Sequence, residues 1–204
     1  MKKITLIALI GFLVAGVEVN AQTTYQNLSR EKIVNTEQLP IRDVRKTAVW
    51  FNMGWNGLTG FGANLSYYPV PKIAIDVGIG LSAVGVKTSA RGRYLFKVKN
   101  FTPFVGLGFM YGFGTPYEFE QKDAFNNDAP FKMKVEESPF IQLAVGFEYM
   151  AKKGFYTLFN TGYALVLTDN YKITSGTVSS DMKRSLDISF GSGIVIEGGI
   201  GFAF

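Results

Sequence analysis

The chain has no cysteine and no histidine. Without cysteine there are no disulfides, zinc ribbons, iron–sulfur clusters or thiol nucleophiles, and no lipid attachment through a sulfur. Without histidine, Ser-His-Asp and Cys-His catalysis and imidazole metal ligation are excluded. Charge is also sparse, at 18% of residues against roughly 25% in soluble domains. The 21 Lys and Arg against 16 Asp and Glu leave a net +5. They are not gathered in the one-faced basic patch of a nucleic-acid binder, so no nucleic-acid partner is expected. What the chain does have is 23 glycines and 15% aromatic residues in 204 positions, a length that fits one domain with or without a tail.

The N-terminus reads as an address. Lys2 and Lys3 precede an uncharged apolar run from Ile4 to Val17, and Val19-Asn20-Ala21 supplies small residues for cleavage before Gln22. This predicts a cleaved secretory signal over 1–21, since 14 apolar residues fall short of the ~20 a spanning helix needs. No later segment has 18 consecutive apolar residues, so no transmembrane helix is expected in the mature chain. Residues 22–46 are polar, contain Pro40 and show no sustained period. They read as a flexible periplasmic tail, with docking under the following domain as the alternative.

From Thr47 the period is two. Val49, Phe51, Met53 and Trp55 alternate with Ala48, Trp50, Asn52, Gly54 and Asn56. Ile73, Ile75, Val77, Ile79 and Leu81 alternate with Ala74, Asp76, Gly78, Gly80 and Ser82. Such alternation signals strands, because helical spacing would scramble both sets. Eight runs are expected, at 47–56, 60–68, 72–82, 87–97, 101–113, 138–150, 154–167 and 185–204. In the last, Leu186, Ile188 and Phe190 are read as continuing the alternation. Tight connectors at 69–71, 98–100 and 151–153 lie at one end; 57–59, 83–86 and the long 114–137 and 168–184 lie at the other. An even strand number with this layout predicts an all-β, eight-stranded antiparallel up-and-down barrel that is transmembrane.

The face assignment follows from size. An eight-stranded barrel has room inside only for side chains, and one face is mostly Gly, Ala, Ser and single charges. The bulky apolar set therefore faces outward, which is stable only in lipid. Tyr67, Tyr94, Phe96, Phe101, Phe147, Tyr149, Phe155, Phe202 and Phe204 fall near the tight-turn ends, and Trp55, Tyr111 and Phe113 near the others, as two interfacial girdles would. A soluble lipocalin-like binder would reverse the faces, with Ile75, Val105 and Ile196 inside and Asp76 and Arg93 in solvent.

These features resemble the small eight-stranded outer-membrane β-barrel proteins of Gram-negative bacteria, the OmpA/OmpX-like porin family, over Thr47 to Phe204. The most specific element is the C-terminal pattern of Glu197, Gly199, Phe202 and Phe204. The resemblance implies that this pattern is an assembly signal read by the barrel-assembly machinery, and that the protein resides in the outer membrane. No peptidoglycan-binding domain follows the barrel, so a wall-anchoring role is not expected. The known enzymes on such barrels rely on histidine, so no catalysis is expected either.

The inward charges are the candidate site. Pairing the third and fourth strands about 83–86 sets Asp76 opposite Arg93, with Arg91 one step further along the same face; Glu148 and Glu197 also point inward. A carboxylate in that setting is costly unless paired, so Asp76, Arg91, Arg93, Glu148 and Glu197 are expected to form a lumen ion-pair network. It either fills the lumen or gates a narrow conduit. The segment 114–137 carries six acidic and three basic residues and reads as a solvated, mobile surface loop. Together with 168–184 it is a candidate contact for an external partner. Asp123, Asn126, Asn127 and Asp128 supply oxygens, but their spacing matches no EF-hand, and neither metal nor cofactor is expected. Gly78-Ile79-Gly80 and Gly106-Leu107-Gly108 complete no dinucleotide-binding loop. The expected role is structural or surface-interacting, as a monomer, with a low-conductance channel for small solutes as the alternative.

Overall fold

Strands that bury one face must alternate, and only closure pairs every backbone group without leaving an edge. The chain does both. The computed structural model describes residues 39–126 and 128–204; the expected signal at 1–21 and most of the polar leader lie outside them. After a short helix α1 (Ile41–Val44) come β1 (Thr47–Trp55), β2 (Phe61–Val70), β3 (Ile73–Ser82), β4 (Gly85–Leu95) and β5 (Phe101–Gly112). Then follow β6 (Glu118–Asp123), β7 (Ala129–Val135), β8 (Ser138–Met150), β9 (Phe155–Val166), β10 (Tyr171–Ser175), α2 (Ser180–Phe190) and β11 (Gly193–Ala203). Eight of the strands close a barrel in the order β1-β11-β9-β8-β5-β4-β3-β2. Every neighbour in it is antiparallel, so the barrel is up-and-down.

The faces sort by size. Ile75, Leu107 and Ile196 are about half exposed or more, at 47%, 62% and 53%, whereas Asp76 and Arg93 are at 0% and 2%. The lipocalin-like arrangement is therefore ruled out for this fold. Inside the end with tight turns, Trp50, Tyr68, Leu95, Phe104, Met150, Tyr156 and Leu158 form one core, against which Ile41 packs. A second core at the opposite end joins barrel residues such as Met110, Phe140 and Val195 to residues outside the barrel.

Three sequence expectations are corrected. The segment 114–137 is not a mobile loop: β6 and β7 pair and join β10 in a three-stranded sheet. Phe131, Met133 and Val135 on one face of β7 are buried, and alternate with Lys132 and Lys134 over a run of only seven residues. The final strand does not begin at 185. Met182, Leu186 and Phe190 also satisfy a spacing of four, and Ser179 caps a helix there by accepting a hydrogen bond from the Met182 N–H at 3.2 Å. Leu186 packs inward on Phe131 and its neighbours, and strand geometry resumes only at Gly193. Finally, the flexible-tail reading does not describe residues 40–46. α1 lies across the tight-turn end, where the Arg45 Nη1 donates to the Ala203 carbonyl at 2.6 Å and Nη2 to the Lys152 carbonyl at 2.9 Å.

Candidate functional site

Small inward residues create the space that the charges occupy. Gly106 and Gly108 of β5 lie beside β4, and a Cβ at Gly106 would stand 3.1 Å from Arg93 Cγ and 3.2 Å from Arg91 Cδ. Gly199 of β11 is more constrained. A Cβ there would be 2.5 Å from the Trp50 ring, closer than such atoms approach. Glycine at these positions lets guanidinium and indole groups cross the lumen.

Asp76 is the hub of the lower lumen. Its Oδ2 accepts from Arg91 Nε at 2.9 Å and Arg93 Nε at 2.7 Å. Its Oδ1 accepts from Arg93 Nη2 at 2.9 Å and Ser66 Oγ at 2.7 Å, and Ser66 in turn accepts from the Trp50 indole at 2.8 Å. Arg93 Nη1 donates to Glu148 Oε2, which also accepts from Tyr68 at 3.1 Å and Tyr156 at 3.3 Å. The Phe104 ring centroid lies 4.9 Å from the Arg93 guanidinium, within cation–π range. The other Glu148 oxygen, Oε1, accepts from Arg42 Nε of α1 at 2.6 Å, and Arg42 Nη1 donates to the Lys99 carbonyl at 2.8 Å.

Glu197 organises the upper half. It accepts from Asn52 Nδ2 at 2.9 Å, the Leu58 N–H at 3.1 Å and Asn160 Nδ2 at 3.2 Å. Arg91 connects the halves, with Nη1 3.5 Å from Glu197 Oε2 in an ion pair longer than a hydrogen bond. Arg91 Nη1 and Nη2 make no hydrogen bond among the described residues. Each carboxylate thus has several donors, the condition under which buried ions are tolerated.

All five residues singled out in the sequence converge on this network, but not in the register expected. Asp76 pairs across the ladder with Arg91, and Arg93 with Ala74. The reason is the β3–β4 turn. Ser82 pairs with Gly85, whose φ of +80° allows a connection of Ala83 and Val84 alone. A four-residue loop at 83–86 would shift the partner of Asp76 by two places, to Arg93, a shift that keeps every side chain on its own face. Sequence reasoning missed Arg42, Lys87, Tyr68 and Tyr156. Lys87 was legible, being on the same alternation as Arg91 and Arg93; Arg42 carried no periodic signal.

Of the expected assembly pattern, Glu197 and Gly199 point into the lumen while Phe202 and Phe204 point out, 5.4 Å apart between ring centroids. The outward pair lies at the tight-turn end, both rings exposed.

At the opposite end, Asp123 of β6 ties the three-stranded sheet to α2. Its oxygens accept from the Ser179 N–H at 2.6 Å, Ser179 Oγ at 3.0 Å and the Phe125 N–H at 3.0 Å. Burial alone would raise its pKa, but these donors outweigh burial and leave it below the ordinary carboxylate value. Tyr171 of β10 donates to Asp187 of α2 at 2.6 Å, and burial together with that carboxylate raises its phenol above the ordinary value. Asp123 is therefore occupied in a structural contact, and among the described residues no cluster of acidic side chains is arranged to hold a metal ion.

No protein-family profile matches the chain, and no curated protein matches it. Two solved structures are similar in shape. The N-terminal β-barrel domain of Pseudomonas aeruginosa OprF aligns at 12% identity and a TM-score of 0.46, covering 78% of this chain and 98% of that one. Acinetobacter baumannii CarO aligns at 10% identity and a TM-score of 0.36, covering 80% and 99%. The chain is an eight-stranded antiparallel barrel by its own hydrogen-bond ladder.

Proposed function

We propose that this protein is a bacterial outer-membrane barrel with a structural or surface-interaction role and a lumen closed to bulk solute. The observation that carries the reading is the exposed apolar belt. Phe51, Val77, Leu107, Leu143, Phe159 and Ile200 come from six different barrel strands and all face out. In water an apolar surface running around a whole molecule would far exceed the few hundred Å² a monomer ordinarily exposes. In a bilayer it is the required outer surface.

Closure of the lumen is supported at three levels. α1 crosses the tight-turn end, the ion-pair network fills the middle, and the apolar core of β7 and α2 covers the other mouth. The partners that follow from this reading are outer-membrane lipid and the barrel-assembly machinery, the latter engaging β11 through Glu197, Gly199, Phe202 and Phe204. An external partner would meet the surface built from 114–137 and 168–184. Reconstituted in planar bilayers, the protein should give no reproducible single-channel steps, and an epitope tag inserted in the turn between β6 and β7 should be reached by antibody on intact cells. Discrete steps would favour the low-conductance pore instead. That second reading draws on one observation, the mid-lumen Arg91 Nη groups that make no hydrogen bond among the described residues.

A further inference from the structure

A cavity of about 400 Å³ lies between the β1–β2 loop, the β3–β4 turn and the last turn of α2. Its lining crosses the barrel wall. Met53, Trp55, Phe61 and Leu81 are outward residues, at 71%, 53%, 63% and 61% exposure, yet they share this cavity with the buried Val84, Lys87 and Phe140. Ser189 and Phe190 roof it from α2. Lipid-facing and lumen-facing side chains line one space only where the space passes over the rim.

Lys87 is the one charged residue in this apolar lining, and it is buried. Its ammonium donates to the Gly57 carbonyl at 2.9 Å and lies 5.2 Å from the Phe140 ring centroid. No carboxylate among the described residues stands within ion-pair distance of it. An ammonium has three N–H donors, and among the described residues this one meets a single hydrogen-bond acceptor. Charge accounting points the same way. Among the described residues, the buried lumen cations Arg42, Lys87, Arg91 and Arg93 face three buried lumen carboxylates, Asp76, Glu148 and Glu197, the fourth buried carboxylate, Asp123, being held by Ser179 outside the barrel, so the lumen is one anion short of balance.

We propose that this rim cavity binds a single-chain anionic amphiphile, a fatty-acid-type carboxylate, drawn from the surrounding bilayer. The head group pairs with Lys87, and the alkyl chain runs out past Phe61 and Leu81 into lipid. Apolar walls with one convergent charge are the usual make-up of such a site. The bilayer is the source because the outward half of the cavity opens on it. The site needs the barrel and its rim, and does not depend on whether the lumen conducts.

Trp55 lines the cavity and the chain's other tryptophan, Trp50, is deep in the lumen, so fluorescence reads the site. The full protein in phosphatidylcholine vesicles is titrated at neutral pH with terminally brominated undecanoate and with the matching brominated undecanol. Saturable quenching of Trp55 by the acid is expected, weakened roughly tenfold or more by Lys87→Met, as loss of a charge-assisted contact implies. The alcohol should bind both proteins alike. Ser189→Phe, placed on α2 outside the barrel, narrows the cavity and should weaken both ligands even if Lys87→Met does not fold. The proposal is overturned by quenching that rises without saturating, by equal affinity for acid and alcohol, or by a Ser189→Phe protein that binds as the parent does. Displacement of the acid by inorganic phosphate alone would also overturn it, by showing a plain anion site with no need for the chain.

Discussion

Arg93 is shared by two carboxylates, Asp76 through Nε and Nη2 and Glu148 through Nη1. Its removal leaves both acids under-compensated. Arg91 still reaches Asp76, and Arg42 and two tyrosines still reach Glu148. Breaking a buried pair from one side ordinarily costs ~3–5 kcal/mol, and Arg93→Met is expected at the lower end because these contacts persist. Urea unfolding of the protein in lipid vesicles, followed by loss of heat-modifiable gel migration, measures it. A double cycle with Glu148→Gln should recover part of the loss, because the second change removes the charge that the first leaves stranded. Strictly additive costs would mean that the pair is not coupled. The residues of this network were legible in the sequence because single charges on a glycine-rich face stand out from their neighbours. Their pairing was not, because it depends on a two-residue turn at Ala83-Val84 that period-two reading does not resolve.

Among the elements, the sheet of β6, β7 and β10 and helix α2 form a lid of their own over the mouth opposite the tight turns. Asp123 joins its two halves through Ser179. Its folded-state pKa is depressed, so its contribution is present at pH above the unfolded carboxylate value, about 3.9, and is lost as pH falls through the lower folded value. The lid should therefore resist proteolysis at neutral pH and down to about pH 4, then loosen on further acidification. Limited digestion within 118–135 by an acid-active protease across that range checks this. In Asp123→Asn the same cleavage should already be raised at neutral pH and depend less on acid. Cleavage that does not change with pH in the parent would remove Asp123 from this role. This lid is where the sequence was least readable. Barrel strands announce themselves by long alternation, whereas β6 and β7 are short and heavily charged. α2 fits both a period of two and a spacing of four, so that only its capping serine separates the readings.

Taken as a whole molecule, the lumen is sealed by physically different means at its two ends. The lower seal is ionic and depends on α1, since among the described residues Arg42 is the only charged member of the network that comes from outside the barrel strands. The upper seal is apolar, made by Leu58, Met110, Phe140 and Val195 with Phe131, Met133 and Val135 above them. Water that enters past a broken ionic seal meets the polar groups around Glu197 and then this apolar ring, and apolar constrictions exclude water. Arg42→Ser should therefore wet the lower lumen without making the barrel conduct. In a Trp55→Phe background, Trp50 is the sole indole, and its emission should shift to the red and become quenchable by acrylamide added from the tight-turn side. Planar-bilayer recordings of the same protein should stay silent. Single-channel steps from Arg42→Ser alone would show that the apolar end is no barrier and that α1 is the only stopper. An unshifted Trp50 would show instead that Asp76, Arg93 and Glu148 hold the lower end closed without α1. The two measurements separate these outcomes because they report on opposite ends of one lumen.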